Sequence, residues 1–202
     1  VYKRQTYDSM LDSPTVSASS SNYCVLSPID KNSSVTPSNG NLTATLGSAG
    51  WLCIRSTIGM SSGKWYWESY YSSGINGFFG LGTNATSLAS FPGSTSDSYG
   101  VQASNGNKYN SNTPTAYTSA IAVNDIIGMA FDADAGTLTY YKNGTSLGTA
   151  FTGIPAGTYF AILGCDNNVM QANFGQRPFS YTPPTGFLAL NTYNLPTPTI
   201  GN

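Results

Sequence analysis

Apolar residues in this 202-residue chain occur in short alternating runs, and Gly, Pro, Asn and Ser separate these runs. A period of two places every second side chain on the same face of an extended strand, whereas a helix needs apolar residues three and four apart. Helical spacing is almost absent. Roughly eleven or twelve such segments joined by short turns predict an all-β fold of two packed antiparallel sheets.

The most specific strand signals are an aromatic stretch and an Asn-Gly turn. Residues 64–71 read KWYWESYY. Alternation puts Trp65, Trp67, Ser69 and Tyr71 on one face and Lys64, Tyr66, Glu68 and Tyr70 on the other. Because both faces carry aromatic rings, we expect this strand to be covered on both sides. Asn143 and Gly144 tolerate positive φ, so they predict a tight hairpin turn between the flanking runs.

Charged residues make up only 8% of the chain, and the net charge is −1. An ordinary soluble domain carries roughly 25% charged residues. A net charge near zero favours association, so we expect a homo-oligomer or a part of a larger assembly. The eight Lys and Arg residues are scattered, which argues against a nucleic-acid partner. Because no apolar run approaches the ~20 residues of a membrane span, we expect no membrane insertion.

Residues for chemistry are scarce in this sequence. The chain has no His, which excludes Ser-His-Asp and Cys-His triads and most zinc sites. Asp132 and Asp134 are two residues apart, but the DADAGT context favours a turn over a carboxylate pair. Asp166 and the two asparagines that follow it favour a turn over a cation site. We therefore expect no catalytic residue, no metal and no cofactor.

Cysteines occur three times, and each lies in an apolar run. Cys24, Cys53 and Cys165 are an odd number, which argues against a closed disulfide framework. We expect buried thiols at all three positions, although one intramolecular pair remains an alternative.

Residues 63–187 resemble the SPRY (B30.2-like) family in the order of their motifs. The matching segments are GKWYWE at 63–68, FPG at 91–93, SYG at 98–100, NGNKYN at 105–110, DIIGMAFDADAGTLTYYKNGTSLGTAF at 125–151, IPAGTYFAILG at 154–164 and ANFGQRPFSYTPPTGF at 172–187. The resemblance implies a bent, concanavalin-like β-sandwich with function in its loops. We expect an N-terminal arm or linker over residues 1–22, the sandwich over 23–190 and an extended tail over 191–202.

The segment before Gly63 resembles SPRY-containing structural proteins of bacteriophages. The motifs are DSMLDSPT, NYCVLSP, SNGNLT and GWLCIRSTIGMSSGKWYWE. This second resemblance implies a non-enzymatic virion surface protein, such as a tail fibre, head fibre or capsid decoration protein. Its partners would be other virion proteins and a host-surface glycan or protein. The alternative is a cellular SPRY adaptor that binds short peptides, and a glycan-active enzyme on a sandwich fold is the third reading.

Aromatic residues in the central loops are the remaining candidates for a binding surface. Phe91, Tyr99, Tyr109 and Tyr117 lie in or beside these loops. Tyrosine offers amphipathic contact area at low entropic cost, although about half of these rings would simply cover the core. In the SPRY family the ligand surface is built from loops at one edge. By motif position this edge includes the region of Phe91 and, after Gly164, Asp166 and Asn167.

Overall fold

The computed structural model of the chain describes residues 21–47, 50–74 and 76–196. The predicted arm over residues 1–22 therefore falls almost wholly outside the described residues, as does the end of the predicted tail. Within these ranges there are fifteen strands and no helix. The strands are β1 (Leu26–Lys31), β2 (Thr36–Ser38), β3 (Thr43–Leu46), β4 (Leu52–Ser56), β5 (Lys64–Ser73), β6 (Asn76–Thr83), β7 (Ser98–Gln102), β8 (Lys108–Asn110), β9 (Thr113–Thr115), β10 (Ile126–Asp132), β11 (Thr137–Lys142), β12 (Thr145–Phe151), β13 (Tyr159–Asp166), β14 (Asn168–Asn173) and β15 (Leu188–Ala189).

The strands form two sheets that pack face to face. Sheet A has seven strands in the order β1-β4-β13-β6-β7-β8-β9. Sheet B has eight strands, with β12-β11-β10-β5-β14-β3-β2 in order and β15 paired to the start of β5. All neighbours are antiparallel except the β15–β5 pair. The predicted antiparallel β-sandwich is confirmed. Among the described residues, no helix is long and apolar enough to cross a bilayer.

Strand β5 carries large side chains into the core between the sheets. Trp65, Trp67 and Tyr71 are each at most 2% exposed and belong to the central apolar cluster. Across the interior, the buried Tyr140 hydroxyl of β11 donates to the carbonyl of Phe79 on β6 at 2.9 Å. A buried hydroxyl needs such a partner, and this one ties sheet B to sheet A.

The opposite face of β5 is covered by the chain segment that precedes β15. The Tyr66 ring meets Phe179 edge to face, with ring centroids 5.0 Å apart. The buried Glu68 carboxylate accepts the backbone N–H groups of Ser180 at 2.8 Å and Tyr181 at 2.9 Å. The prediction that β5 is covered on both sides is confirmed.

The outer face of sheet A is covered by the loop that joins β6 to β7. Three glycines on neighbouring strands leave room for Pro92 of this loop. A Cβ added to Gly80 would lie 2.6 Å from Pro92 Cγ, and one added to Gly164 would lie 2.8 Å from Pro92 Cδ. A Cβ on Gly100 would lie 3.0 Å from the Pro92 carbonyl carbon. Side chains at these positions would push the loop off the sheet.

Asp97 anchors the far end of the same loop. Its carboxylate accepts the hydroxyls of Thr83 at 2.8 Å and Thr86 at 2.9 Å, and also that of Thr95. Burial acts to raise the pKa of Asp97, but the three threonine hydrogen bonds outweigh it and the pKa is lowered. The loop is therefore held at two places, by the packing of Pro92 in its interior and by Asp97 at its end.

The start of the predicted C-terminal tail packs beside the first described residues. Asn191 forms an isolated antiparallel bridge with Tyr23 and is 5% exposed. The Thr192 N–H donates to the Asn22 carbonyl at 2.9 Å.

Candidate functional site

One end of the outer face of sheet A carries half-exposed aromatic rings next to polar side chains. Here β13 ends, β6 begins and β7 ends, so side chains from several strands meet. We call this surface the rim. It consists of Trp51, Asn76, Phe91, Gln102, Asn105, Tyr109, Asp166 and Asn167.

Strand register places the rim residues side by side. Asp166 pairs with Asn76 across β13 and β6. Leu52 pairs with Cys165, so Trp51 lies beside Asp166 one residue further along. The backbone N–H of Gly50 donates to Asp166 Oδ1 at 2.9 Å, which fixes the chain entering β4 against the end of β13. Asn167 is exposed, and its positive φ of +47° allows the tight turn from β13 to β14.

Three aromatic rings of the rim pack around Phe78. Phe78 is 1% exposed, and its ring centroid lies 4.9 Å from Trp51, 4.8 Å from Phe91 and 5.4 Å from Tyr109. Phe91 and Tyr109 are also 5.4 Å apart. Such stacked and edge-to-face pairs hold the rings in place, while Trp51, Phe91 and Tyr109 remain partly exposed.

The amide side chains of the rim form a hydrogen-bonded network. Gln102 Oε1 accepts the Tyr109 hydroxyl at 2.8 Å and Asn105 Nδ2 at 2.9 Å. Gln102 Nε2 donates to Asn76 Oδ1 at 3.3 Å. Side chains that are oriented before a ligand arrives lose little entropy on binding, so this network favours recognition by a preformed surface.

Two buried polar groups lie under the rim. Tyr71 OH and Asn168 Oδ1 have no hydrogen-bond partner within the described part of the chain. Burial, together with the nearby Asp166 carboxylate, raises the pKa of Tyr71 to about 12. Tyr71 therefore stays neutral at physiological pH, and Asp166 provides the charge in this region.

The six predicted binding residues fall into two groups. Phe91, Tyr109, Asp166 and Asn167 meet at the rim. Tyr99 is 8% exposed, and its ring packs 5.2 Å from Phe151 in the interior.

Tyr117 also lies away from the rim. Its hydroxyl donates to the Gly148 carbonyl at 2.5 Å, and its ring lies 6.0 Å from Tyr140. Tyr99 and Tyr117 therefore belong to the rings that cover the core, which was the alternative to ligand binding. Ligand contact by the other four residues stays a prediction.

Residues that sequence reasoning left out complete the rim. Trp51, Asn76 and Gln102 stand at strand ends, and only the pairing of distant strands brings them together. The signal available in the sequence was a tryptophan, Trp51, between Gly50 and an apolar run.

The carboxylates that were considered for catalysis have structural partners. Asp132 Oδ1 accepts the Ala135 N–H at 2.9 Å, and its other oxygen pairs with Lys64 at 3.0 Å. Asp134 Oδ1 accepts the Gly63 N–H at 2.9 Å. The first contact lies within the β10–β11 turn, and the other two hold this turn against the start of β5. Over the described ranges, no group of three or more His, Cys, Asp or Glu could hold a metal.

The three cysteines are buried free thiols, as predicted. Burial raises the pKa of Cys24 and Cys53, and it raises that of Cys165 to about 12. A thiol with a raised pKa is a poor nucleophile at neutral pH.

A cavity of about 190 Å³ lies on the outer face of sheet B. Its lining includes Glu68, Tyr70, Gln171 and Arg177. Because both oxygens of Glu68 accept backbone N–H groups of the covering segment, we assign this cavity to the packing of that segment.

A two-layer antiparallel sandwich with loops gathered at one rim is the architecture of a SPRY domain. Residues 64–177 match the SPRY domain family, and this chain belongs to that family. The crystal structure of the SPRY domain of human HERC1 has the same fold, with a TM-score of 0.66 and 22% identity. That match covers 76% of this chain and 99% of the HERC1 chain.

Curated relatives of this chain are Ran-binding proteins of animals. Ran-binding protein 9 of Xenopus tropicalis is 35% identical over 167 residues, covering 77% of this chain and 30% of that protein. Ran-binding protein 9 of Homo sapiens is 34% identical over 135 residues, covering 63% of this chain and 18% of that protein. The Ran-binding proteins 9/10 homolog of Drosophila melanogaster is 32% identical over 167 residues, covering 77% of this chain and 17% of that protein. The chain thus spans less than a third of the length of these relatives.

These relatives contradict the expected virion surface protein. The virion location, the fibre and capsid roles, and the virion and host-surface partners are wrong, and the resemblance to bacteriophage proteins is unsupported. The error came from the resemblance that the short motifs before Gly63 were taken to show. Those motifs do not establish the source of the chain or the compartment in which the domain works.

Proposed function

We propose that this chain is a cellular SPRY module that binds a short extended segment of a partner protein at the rim and performs no catalysis. The observation that carries the proposal is the set of half-exposed rings of Trp51, Phe91 and Tyr109, fixed on Phe78 beside an ordered amide network. Aromatic anchors in a preformed surface are the usual source of binding energy at protein interfaces.

The chemistry of the rim suits a peptide. An extended peptide presents backbone N–H and C=O groups, which the amides of Asn76, Gln102 and Asn105 can pair with. Its side chains can pack against the rings. The rim is built on strand ends and a doubly anchored loop, so little of it needs to be ordered on binding.

The names of the relatives point to one partner to test. Those proteins are named for binding Ran. Because this chain spans 17–30% of their length, their partners are hypotheses for this chain, and Ran is the first protein to test against it.

Two features support the absence of catalysis. The chain contains no His, so a proton-transfer role would fall on its nine carboxylates. Those that sequence reasoning singled out, Asp132 and Asp134, hold the β10–β11 turn instead.

The proposal is tested by selecting peptides and mapping where they bind. A random library of extended peptides is panned on the purified domain, and the affinities of the selected peptides are measured by calorimetry. Trp51→Ala and Phe91→Ala should each weaken binding at least about tenfold, or ~1.4 kcal/mol. Melting temperatures establish that each variant is folded.

Tyr193→Ala is the matched control. This ring is 52% exposed and lies beyond β15, which pairs with the start of β5, so its removal should leave affinity unchanged. Selected peptides that bind the folded Trp51→Ala and Phe91→Ala variants as tightly as the native domain would refute the proposal.

A further inference from the structure

The charge of the rim comes from a single acidic group. Asp166 is half-buried, and among the described residues its carboxylate has no ion pair. The ion pairs found there join Arg55 to Asp30, Lys64 to Asp132 and Lys142 to Asp125. The other polar side chains of the rim are neutral amides and one tyrosine hydroxyl.

Among the described residues, two of the other acidic groups without a basic partner have more hydrogen bonds than Asp166, and the third, Asp134, accepts one and is exposed to water. Glu68 accepts two backbone N–H groups and a tyrosine hydroxyl. Asp97 accepts three threonine hydroxyls. Asp166 accepts one hydrogen bond, from Gly50 to Oδ1, and Oδ2 has none within the described ranges. A half-buried carboxylate with a free oxygen gains more from a charge-assisted hydrogen bond than from a neutral one.

A basic side chain on a strand of the same sheet does not satisfy this carboxylate. Lys31 lies on β1, the neighbour of β4, and its Nζ donates to the carbonyls of Asn32 at 3.3 Å and Ser33 at 3.4 Å. The described part of the rim contains no Lys or Arg. Within the described ranges no basic side chain pairs with Asp166, so its free oxygen is open to a basic group of a ligand.

The ring beside Asp166 suits a cation as well. Trp51 follows Gly50, whose N–H binds the carboxylate, and its indole is the aromatic system that attracts a cation most strongly. An ammonium or guanidinium group at this place would face a carboxylate oxygen and an aromatic face together.

We infer that the segment bound at the rim carries a Lys or Arg side chain that pairs with Asp166 beside Trp51. The inference rests on the proposed function and adds the charge class of the ligand. It excludes acidic segments, because they would bring a like charge to Asp166.

Asp166→Asn tests the pairing without removing the structural hydrogen bond, because the amide oxygen still accepts the Gly50 N–H. The probes are the peptides selected on the native domain, each also made with Arg replaced by citrulline or Lys by norleucine. We expect basic residues to be enriched among them, and Asp166→Asn and the neutral peptide each to weaken binding about tenfold. Combined, the two changes should weaken binding hardly more than either alone.

Asp134→Asn is the control for the change in net charge. Asp134 also accepts one backbone N–H at 2.9 Å. The two aspartates lie at opposite ends of β5. Asp134 lies beyond Lys64, where β5 begins, and the turn after Asp166 leads to Ser73, where β5 ends. This variant should bind as the native domain does.

The outcomes separate the inference from the proposed function. Peptides that bind at the rim without enrichment of Lys or Arg, or that bind Asp166→Asn as tightly as the native domain, overturn the inference alone. Peptides whose binding does not depend on Trp51 and Phe91 overturn both.

Discussion

Replacing Gly80 by Ala should displace the loop that carries Phe91. Gly80 lies on β6 opposite Gly100 of β7, and its φ lies outside the left-handed region, so alanine meets no backbone strain there. The new Cβ would stand 2.6 Å from Pro92 Cγ and 2.8 Å from the Tyr99 carbonyl oxygen. Because carbon atoms pack at about 3.5–4.0 Å, Pro92 would have to move by about 1 Å.

The magnitude follows from overpacking of a close contact. Inserting a methyl group into a well-packed site destabilises a protein by about 1–3 kcal/mol. For a chain of this size each kcal/mol lowers the melting temperature by roughly 2–4 °C, so we expect a decrease of about 2–12 °C. Phe91 precedes Pro92 and would shift with it, which would loosen its 4.8 Å stack on Phe78 and weaken peptide binding.

The assay is thermal unfolding followed by circular dichroism, with Gly47→Ala as the matched control. Gly47 has no atom within 4 Å of an added Cβ and no positive φ, so that variant should melt within about 1 °C of the native domain. If Gly80→Ala melted together with Gly47→Ala, the account of how the glycines seat the loop would be refuted.

Three further predictions concern stability and reactivity. Glu68→Ala removes the acceptor of two backbone N–H groups and should lower the free energy of unfolding by about 2–4 kcal/mol in urea denaturation; a change below about 0.5 kcal/mol would contradict the anchoring role. The lowered pKa of Asp97 stabilises the fold above about pH 4, the range of an unfolded aspartate, and this contribution is lost as pH falls further. The melting temperature should therefore drop more steeply below pH 4 in the native domain than in Asp97→Asn, and parallel curves would count against it. Cys53 and Cys165, with raised pKa values, should resist a thiol reagent at pH 8 until the domain is unfolded, and rapid labelling of the native state would disprove their burial.

The apolar pattern of the sequence predicted the central strands well, because a strand that is buried on both faces, such as β10, is a continuous apolar run. Residues 125–132 contain the apolar run IIGMAF, which predicts a buried strand, and they form β10 (Ile126–Asp132). Residues 137–142, between two turns, also predict a strand and form β11 (Thr137–Lys142). Residues 105–115 have the composition of a loop, yet strands β8 and β9 lie there. They have three residues each and mostly polar side chains, so they show no alternation and form only by pairing at the edge of sheet A.

The binding surface was only partly accessible from sequence. Motif position led to Phe91 and Asp166, which the fold brings to the same rim. Tyr99 looks the same in sequence, yet it points into the core, because one residue of shift along a strand reverses the face of a side chain. Trp51 reaches the rim only through the pairing of Leu52 with Cys165, a contact between distant parts of the chain.

The most direct test of the account is to map a selected peptide on the isotopically labelled domain by NMR chemical-shift changes. The account predicts that the largest changes occur at backbone amides of the rim, including those of Trp51, Phe91 and Asp166. Changes concentrated instead around the cavity beside Glu68 and Arg177, on the outer face of sheet B, would contradict it.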